Sequence, residues 1–418
     1  MKKQVRLCFL IFALLYHATL FFAQSHKIDS LGSLLQTDRQ DTGRVHHLCM
    51  LCHEYRVSGD YQNALAYSKQ ALQLSTELKF KNGLADAYTS MANVYYGQGD
   101  YPEALQNHLA ALKLKKEADD KNGMAVAYHN MGAVYEKQGN YEKALESYSI
   151  SLELDEELGD DENSVKTYNN MGIIYEKQGD YAKALANYSA ALEKTESFGK
   201  TKSGINSNQY MNIGNVYYHQ GNFQAALENQ QASLDFEKKV GNKPGIADSY
   251  NNIGVIYERQ KNFSKSLGSH QAALAIRQET GDRQGVASSY NNIAIVYRKQ
   301  EKYAEALSLL FAALAIWEDI GDKHNICTSY INLGIIQTRL NKMSDAERYF
   351  NKALQLSKEL GSKSLMIGSY RGLATMNNMM ACAKGLSAKK RNACMLKALE
   401  YYKLFVVSAE TMDKKNAN

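Results

Sequence analysis

Residues able to do chemistry lie in three places along this 418-residue chain. The densest is the run His46-His47-Leu48-Cys49-Met50-Leu51-Cys52-His53. Cys49, Cys52 and His53 have the C-x-x-C-H spacing that attaches haem. His46, Cys49 and His53 share a face at helical spacing and are donors of the kind that zinc accepts. A second place is Cys382 and Cys394, which would close the segment between them in an oxidising compartment. The third group is dispersed. It comprises the imidazole of His129, the amides of Asn169, Asn215, Asn251 and Asn291, and the cations Lys177, Arg259, Lys299 and Arg339. Side-chain amides offer donors and acceptors to an extended peptide backbone, and guanidinium and ammonium groups pair with carboxylates. Nowhere does a nucleophile recur beside a base and a carboxylate, and the glycines gather into no phosphate-binding loop. The expectation is a binding protein that is not an enzyme, with no metal and no cofactor.

The elements that position these residues come from an internal repeat. The segment YHNMGAVYEKQGNYEKALESYSISL from Tyr128 returns as YNNMGIIYEKQGDYAKALANYSAAL from Tyr168. The same column holds Leu48, Tyr88, Tyr210, Tyr250, Tyr290, Tyr330 and Tyr370, at steps of 40 residues except for one of 42 near Lys200–Asn208. This gives eight full units and a modified ninth. The column of Gly132 (Cys52, Ala92, Gly172, Gly214, Gly254, Ala294, Gly334, Ala374) is small throughout, as is the column of Ala144. Two small columns on either side of a turn predict a tight helical hairpin, with Tyr128, Tyr135 and Tyr141 filling the space around the crossing. Gly99, Gly139, Gly179 and Gly221 supply the left-handed residue that ends the first helix. Asp100, Asn140, Asp180 and Asn222 stand ready to cap the second. In this register Leu48 takes a large position and Cys52 a small one, so packing is the preferred reading of the cysteine–histidine run. Cys327 reads as a small buried residue at a helix start.

These columns resemble the tetratricopeptide repeat in its long-helix, forty-residue form, over roughly Arg44 to Leu404. The resemblance implies an all-α, right-handed superhelical solenoid of about nine hairpins, with the first helices lining a concave groove. The expected organisation is a signal peptide over 1–23 and an N-terminal cap over 24–43 with a short helix at Ile28–Leu35. The solenoid follows over 44–404, its last unit carrying an insertion of about twelve residues within 377–396, and a polar tail occupies 405–418. By family register the groove face takes the position after Tyr128 (Cys49, Thr89, His129, Asn169, Met211, Asn251, Asn291, Ile331, Arg371). It also takes the position four further on, which includes Asn215, and the basic ladder Lys137, Lys177, His219, Arg259, Lys299 and Arg339. These positions vary where the packing columns do not, which points to peptide contact; alternatively, the lysines are ordinary consensus on a solvated face. The regular asparagines Asn130, Asn170, Asn212, Asn252, Asn292 and Asn332 read as structural, bonding within the stack. Members that bind chaperone tails carry lysine after the Tyr128 position; no copy here does, which argues against that ligand mode.

The net charge of +5 is small for this length and argues against a nucleic-acid partner. Most of the 29 tyrosines fall in packing columns and do not form a base-stacking platform. Lys2, Lys3 and Arg6 precede an apolar stretch from Leu7 to about Ala23, the order of a secretory signal. Export to a bacterial periplasm or cell envelope is therefore expected, with no stable membrane insertion once the signal is removed. The expected partner is a protein or peptide segment. The repeats are also similar to the sensory regions of bacterial two-component kinases, where Lys397–Lys415 would lead toward a membrane span. The alternative is thus a signalling input module without its own catalytic output.

Overall fold

The computed structural model describes residues 27–197 and 205–417. The expected signal at 1–23 and the centre of the 42-residue step lie outside them. Contacts divide the chain into two compact units, residues 1–198 and 199–418.

The first unit opens with α1 (27–37), whose Leu31 and Leu35 are buried against Val45, Leu48 and Leu74. Four hairpins follow: α2 (Thr42–Val57) with α3 (Tyr61–Glu77), α4 (Lys81–Gln98) with α5 (Tyr101–Glu117), α6 (Lys121–Gln138) with α7 (Tyr141–Leu158), and α8 (Asp161–Lys177) with α9 (Tyr181–Ser197). The second unit has five. These are α10 (Ile205–His219) with α11 (Phe223–Val240), α12 (Lys243–Arg259) with α13 (Phe263–Glu279), α14 (Arg283–Lys299) with α15 (Tyr303–Ile320), α16 (Lys323–Arg339) with α17 (Met343–Glu359), and α18 (Lys363–Ala381) with α19 (Ala388–Ala417). Among the described residues the chain is all-α and built of tandem helical hairpins. No described helix is long and apolar enough to cross a membrane.

The punctuation acts locally. Gly99 and Gly139 end their helices at φ 86° and 78°, a conformation that costs glycine nothing because it lacks a Cβ. Asn140, Asp180 and Asn222 each accept the backbone N–H three residues on. Asp100 occupies the same position without a side-chain bond, and Pro102 in the first turn pre-sets the helical φ instead.

The close approach inside each hairpin has a partner that sequence spacing did not identify. A Cβ on Gly132 would meet the ring of Tyr148 at 2.7 Å, and one on Gly172 would meet Tyr188 at 2.5 Å. Gly254 faces His270, and Gly334 faces Phe350, in the same way. Where this position is Ala294, the facing residue is the smaller Leu310. The missing side chain is filled by a large one from the second helix, which keeps interior packing dense. Tyr148, Tyr188 and Phe350 are fully buried. By contrast, Tyr128, Tyr135 and Tyr141 are half-buried; Lys116 stands over Tyr128 and Lys143 over Tyr135.

The last hairpin absorbs its insertion as helix. α18 runs to Ala381, 382–387 make the turn, and α19 begins ten residues before Ala398, the buried residue at its crossing. The same helix continues through 405–417, where the sequence suggested a tail. Met395, Leu396, Leu399 and Val407 on α19 are exposed, so its outer side is less polar than a terminal solenoid repeat usually is.

Candidate binding surface

In each unit, first helices pack directly on the next first helix: α2 on α4 and α6 on α8, then α10 on α12, α12 on α14, α14 on α16 and α16 on α18. Side chains on this row therefore reach across to the neighbouring repeat, about forty residues away in sequence. That reach decides which candidate residues are free.

Several are engaged. Asn251 Oδ1 accepts from Asn292 Nδ2 at 2.7 Å, and Asn291 Oδ1 from Asn332 Nδ2 at 2.9 Å. His129 Nδ1 lies 3.0 Å from Thr167 Oγ1, and its Nε2 is 3.3 Å from Asn170 Nδ2. Burial holds the His129 imidazole below its ordinary pKa, with Lys166 adding to the effect. Asn170, Asn292 and Asn332 thus bond within the stack, as the regular column suggested. Asn252 instead donates to Gln230 Oε1. Asn215 is held by Gln230 Nε2 at 3.1 Å. Asn169 has its Oδ1 buried without a hydrogen-bond partner.

The basic ladder divides. Lys177 Nζ donates to Glu136 of the preceding hairpin at 2.7 Å, and Lys299 pairs with Glu258 in the same register. Both lysines stay partly exposed beside these partners. Arg259 is exposed. Arg339 lines a cleft of about 300 Å³ with Arg298 and Arg371.

Two further clefts adjoin first helices, one in each unit. Asn251 and Asn291 are brought together in one of about 320 Å³ with Arg277, Trp317, Asn292 and Thr328. His129 lines another of about 210 Å³ with Asp155 and Lys166. Arg277, Asp155 and Trp317 belong to one column of the second helix, which also holds Lys115, Glu237 and Ser357. Asp155, Glu237, Arg277, Trp317 and Ser357 are buried. This column is as variable as the groove columns, and that signal was present in the sequence. Its members are held individually: Arg277 donates to Asp248 at 2.6 Å and to Ser289 at 2.9 Å. Burial raises the Asp155 carboxyl to about 6, with Asp160 contributing.

The cysteine–histidine run is dispersed by packing. Cys52 is buried with its thiol toward the Ser90 carbonyl, His47 pairs with Asp38 at 2.7 Å, and His53 Nδ1 accepts from Arg56. Burial pushes the Cys49 thiol up to about 11 and the Cys52 thiol up to about 12. Among the described residues no three His, Cys, Asp or Glu side chains gather as metal ligands. Cys382 and Cys394 are free thiols. Cys327 is buried at the start of α16, 3.2 Å from the Ala353 carbonyl.

The tetratricopeptide-repeat model matches residues 48–117, 123–197, 207–279 and 285–359, and a second model of that repeat matches 169–238. No curated protein sequence gives a significant match. Among solved structures, the apo form of RapI is 15% identical with a TM-score of 0.63, over 88% of this chain and 98% of that one. The apo form of the quorum sensor NprR from B. thuringiensis is 16% identical with a TM-score of 0.59, over 87% and 98%. A Rap protein complexed with Competence and Sporulation Factor is 13% identical with a TM-score of 0.55, over 90% and 100%. At these identities the likeness is one of fold alone, a helical-repeat solenoid. Matched over well more than half its length, in the register of its own helical hairpins, the chain belongs to the tetratricopeptide-repeat family.

Proposed function

We propose that this chain binds segments of other polypeptides along the row of first helices and acts as an exported interaction scaffold. The observation that carries this reading is the cleft shared by Asn251, Asn291 and Trp317. With each Oδ1 engaged by the next repeat, the Nδ2 groups of Asn251 and Asn291 remain to donate to backbone carbonyls of an extended ligand. Trp317 supplies an apolar wall beside Arg277, whose charge is paired with Asp248. A bound segment meets different side chains at each repeat, which is how a quasi-one-dimensional stack reads a sequence.

The test is affinity capture from a cell-envelope fraction with the wild-type protein and with a triple variant Asn251→Ala, Asn291→Ala, Arg259→Ala. Partners captured by the first and lost by the second are expected; the same partners at the same yield would end the assignment to this face. Export is tested separately, by fusing residues 1–30 to a reporter active only outside the cytoplasm.

A further inference from the structure

Two junctions between successive hairpins are tied by a carboxylate on one first helix and a cation on the next, Glu136 with Lys177 and Glu258 with Lys299. The carboxylate position, eight residues after the tyrosine column, reads Glu136, Glu176, Tyr218, Glu258, Arg298 and Thr338 from Tyr128 to Tyr330. The cation position that follows Arg298 is Arg339. At this step two guanidiniums line one cleft, where the preceding step pairs Glu258 with Lys299. Arg371, at the position after Tyr370, adds a third to the same cleft.

Among the described residues none of these arginines has a carboxylate within ion-pair distance, and Arg298 Nε is buried without a hydrogen-bond partner. Glu258, the acid whose charge Arg298 feels, is engaged by Lys299. Burial holds the Arg298 guanidinium below its usual range, and Arg339 lowers it further. Arg298 is partly buried while Arg339 and Arg371 are exposed; like charges lining one cleft repel, and an anion between them reverses the sign of that interaction. Three planar forks suit a carboxylate better than ammonium groups would. The rest of the lining is largely apolar: Ile335, Met379 and the Phe350 ring, which is clamped between Gly334 and Gly372.

We infer that the cleft at Arg298, Arg339 and Arg371 binds an acidic side chain carried beside an apolar one in a polypeptide ligand. The apolar floor selects such a pair over a bare inorganic ion. This assignment rests on the reading that the first-helix row binds polypeptides, and it names what one part of that row selects.

The experiment is a selection of randomised octapeptides against the full-length protein and its Arg298→Glu and Arg371→Met variants. Arg298→Glu restores the carboxylate–cation register, so it is expected to melt no lower than wild type. Wild type is expected to enrich peptides with Asp or Glu next to a large apolar residue. One such peptide, synthesised with both ends blocked, is expected to bind Arg298→Glu at least about tenfold more weakly, as befits loss of a charge-assisted pair. Changing its acid to the amide should have the same effect on wild type. Enriched peptides without an acid, or equal affinity for wild type and Arg298→Glu, overturn the anion site and leave polypeptide binding standing. No enrichment by any form overturns both. If Arg298→Glu fails to fold, Arg371→Met, which keeps an apolar stem, supplies the same comparison.

Discussion

Asn292 donates its Nδ2 to the Oδ1 of Asn251 across the junction of two hairpins, at 2.7 Å. Asn332 does the same to Asn291 at 2.9 Å. These bonds lie on the row of first helices, so the amides serve the stack before they serve a ligand. Removing one partner of such a half-buried pair costs about 1 kcal/mol. Asn292→Ala is expected to lower the urea midpoint accordingly. A double-mutant cycle with Asn251→Ala should give a coupling of about 0.5–1.5 kcal/mol. Strict additivity would mean that the bond does not hold the junction.

Glycine-to-alanine changes inside helices should differ in sign with what they face. Gly172 and Gly334 press on the rings of Tyr188 and Phe350, at 2.5 and 2.7 Å from a built Cβ. Alanine there gains helix propensity of about 1 kcal/mol but overpacks the hairpin at a cost of about 1–3 kcal/mol. A net loss of thermal stability is expected, relieved at Gly334→Ala by Phe350→Leu, since Ala294 faces leucine already. Gly268, within α13, has nothing within 4 Å of a built Cβ, so Gly268→Ala should stabilise by about 0.5–1 kcal/mol. Equal shifts at all three positions would refute the glycine–ring account.

Acid should unfold this protein partly through two histidines. His108 and His270 are 1% and 2% exposed, each with an unpartnered Nδ1. Burial lowers both to about 4, with Arg277 adding to the effect at His270. The unfolded chain binds a proton near 6.5 and the folded one only near 4. Between those values the unfolded state holds more protons, so stability falls as pH falls through this window. Asp155, raised to about 6, acts in the opposite direction: between its unfolded value near 4 and about 6 the folded state holds the extra proton. With two histidines against one aspartate, a net loss is expected on acidification from pH 7 to 4. The double variant His108→Gln, His270→Gln should flatten the dependence by an amount on the order of a few kcal/mol; an unchanged slope would assign acid sensitivity elsewhere.

Thiol reactivity should sort by burial. Cys382 is exposed, while Cys49, Cys52 and Cys327 sit in surroundings that raise their thiols to about 11, 12 and 11. The thiolate is the nucleophile, so native protein at pH 8 should react quickly at Cys382 and more slowly at the half-buried Cys394. The other three should react only after denaturation. Rapid labelling of Cys49 or Cys52 in native protein would contradict the packed environment of α2.

The repeat, its hairpin turns and its capping residues were legible in the sequence, because each depends on contacts within one forty-residue unit and is restated nine times. The step from Gly139 through Asn140 to Tyr141 carries its own backbone instructions wherever it occurs. The candidate surface was legible only as a set of positions. Variation among otherwise similar repeats marked Asn251, Asn291 and Arg339 as positions tuned one by one. The buried variable column of Asp155, Arg277 and Trp317 carries no common chemistry that would mark it in the sequence.

Which of those positions remain free is a tertiary matter. Lys177 and Lys299 stand in the same column as Arg259 and Arg339, yet they pair with Glu136 and Glu258 on the preceding first helices. The meeting of Arg298 with Arg339 depends on how one first helix is rotated against the next, and Tyr148 over Gly132 on how deeply a second helix sits. Sequence alone determined the period, the helices and their ends, since these answer to local propensity and spacing. The tertiary structure decided which charges and amides are paired, since pairing requires side chains some forty residues apart to arrive within hydrogen-bond distance.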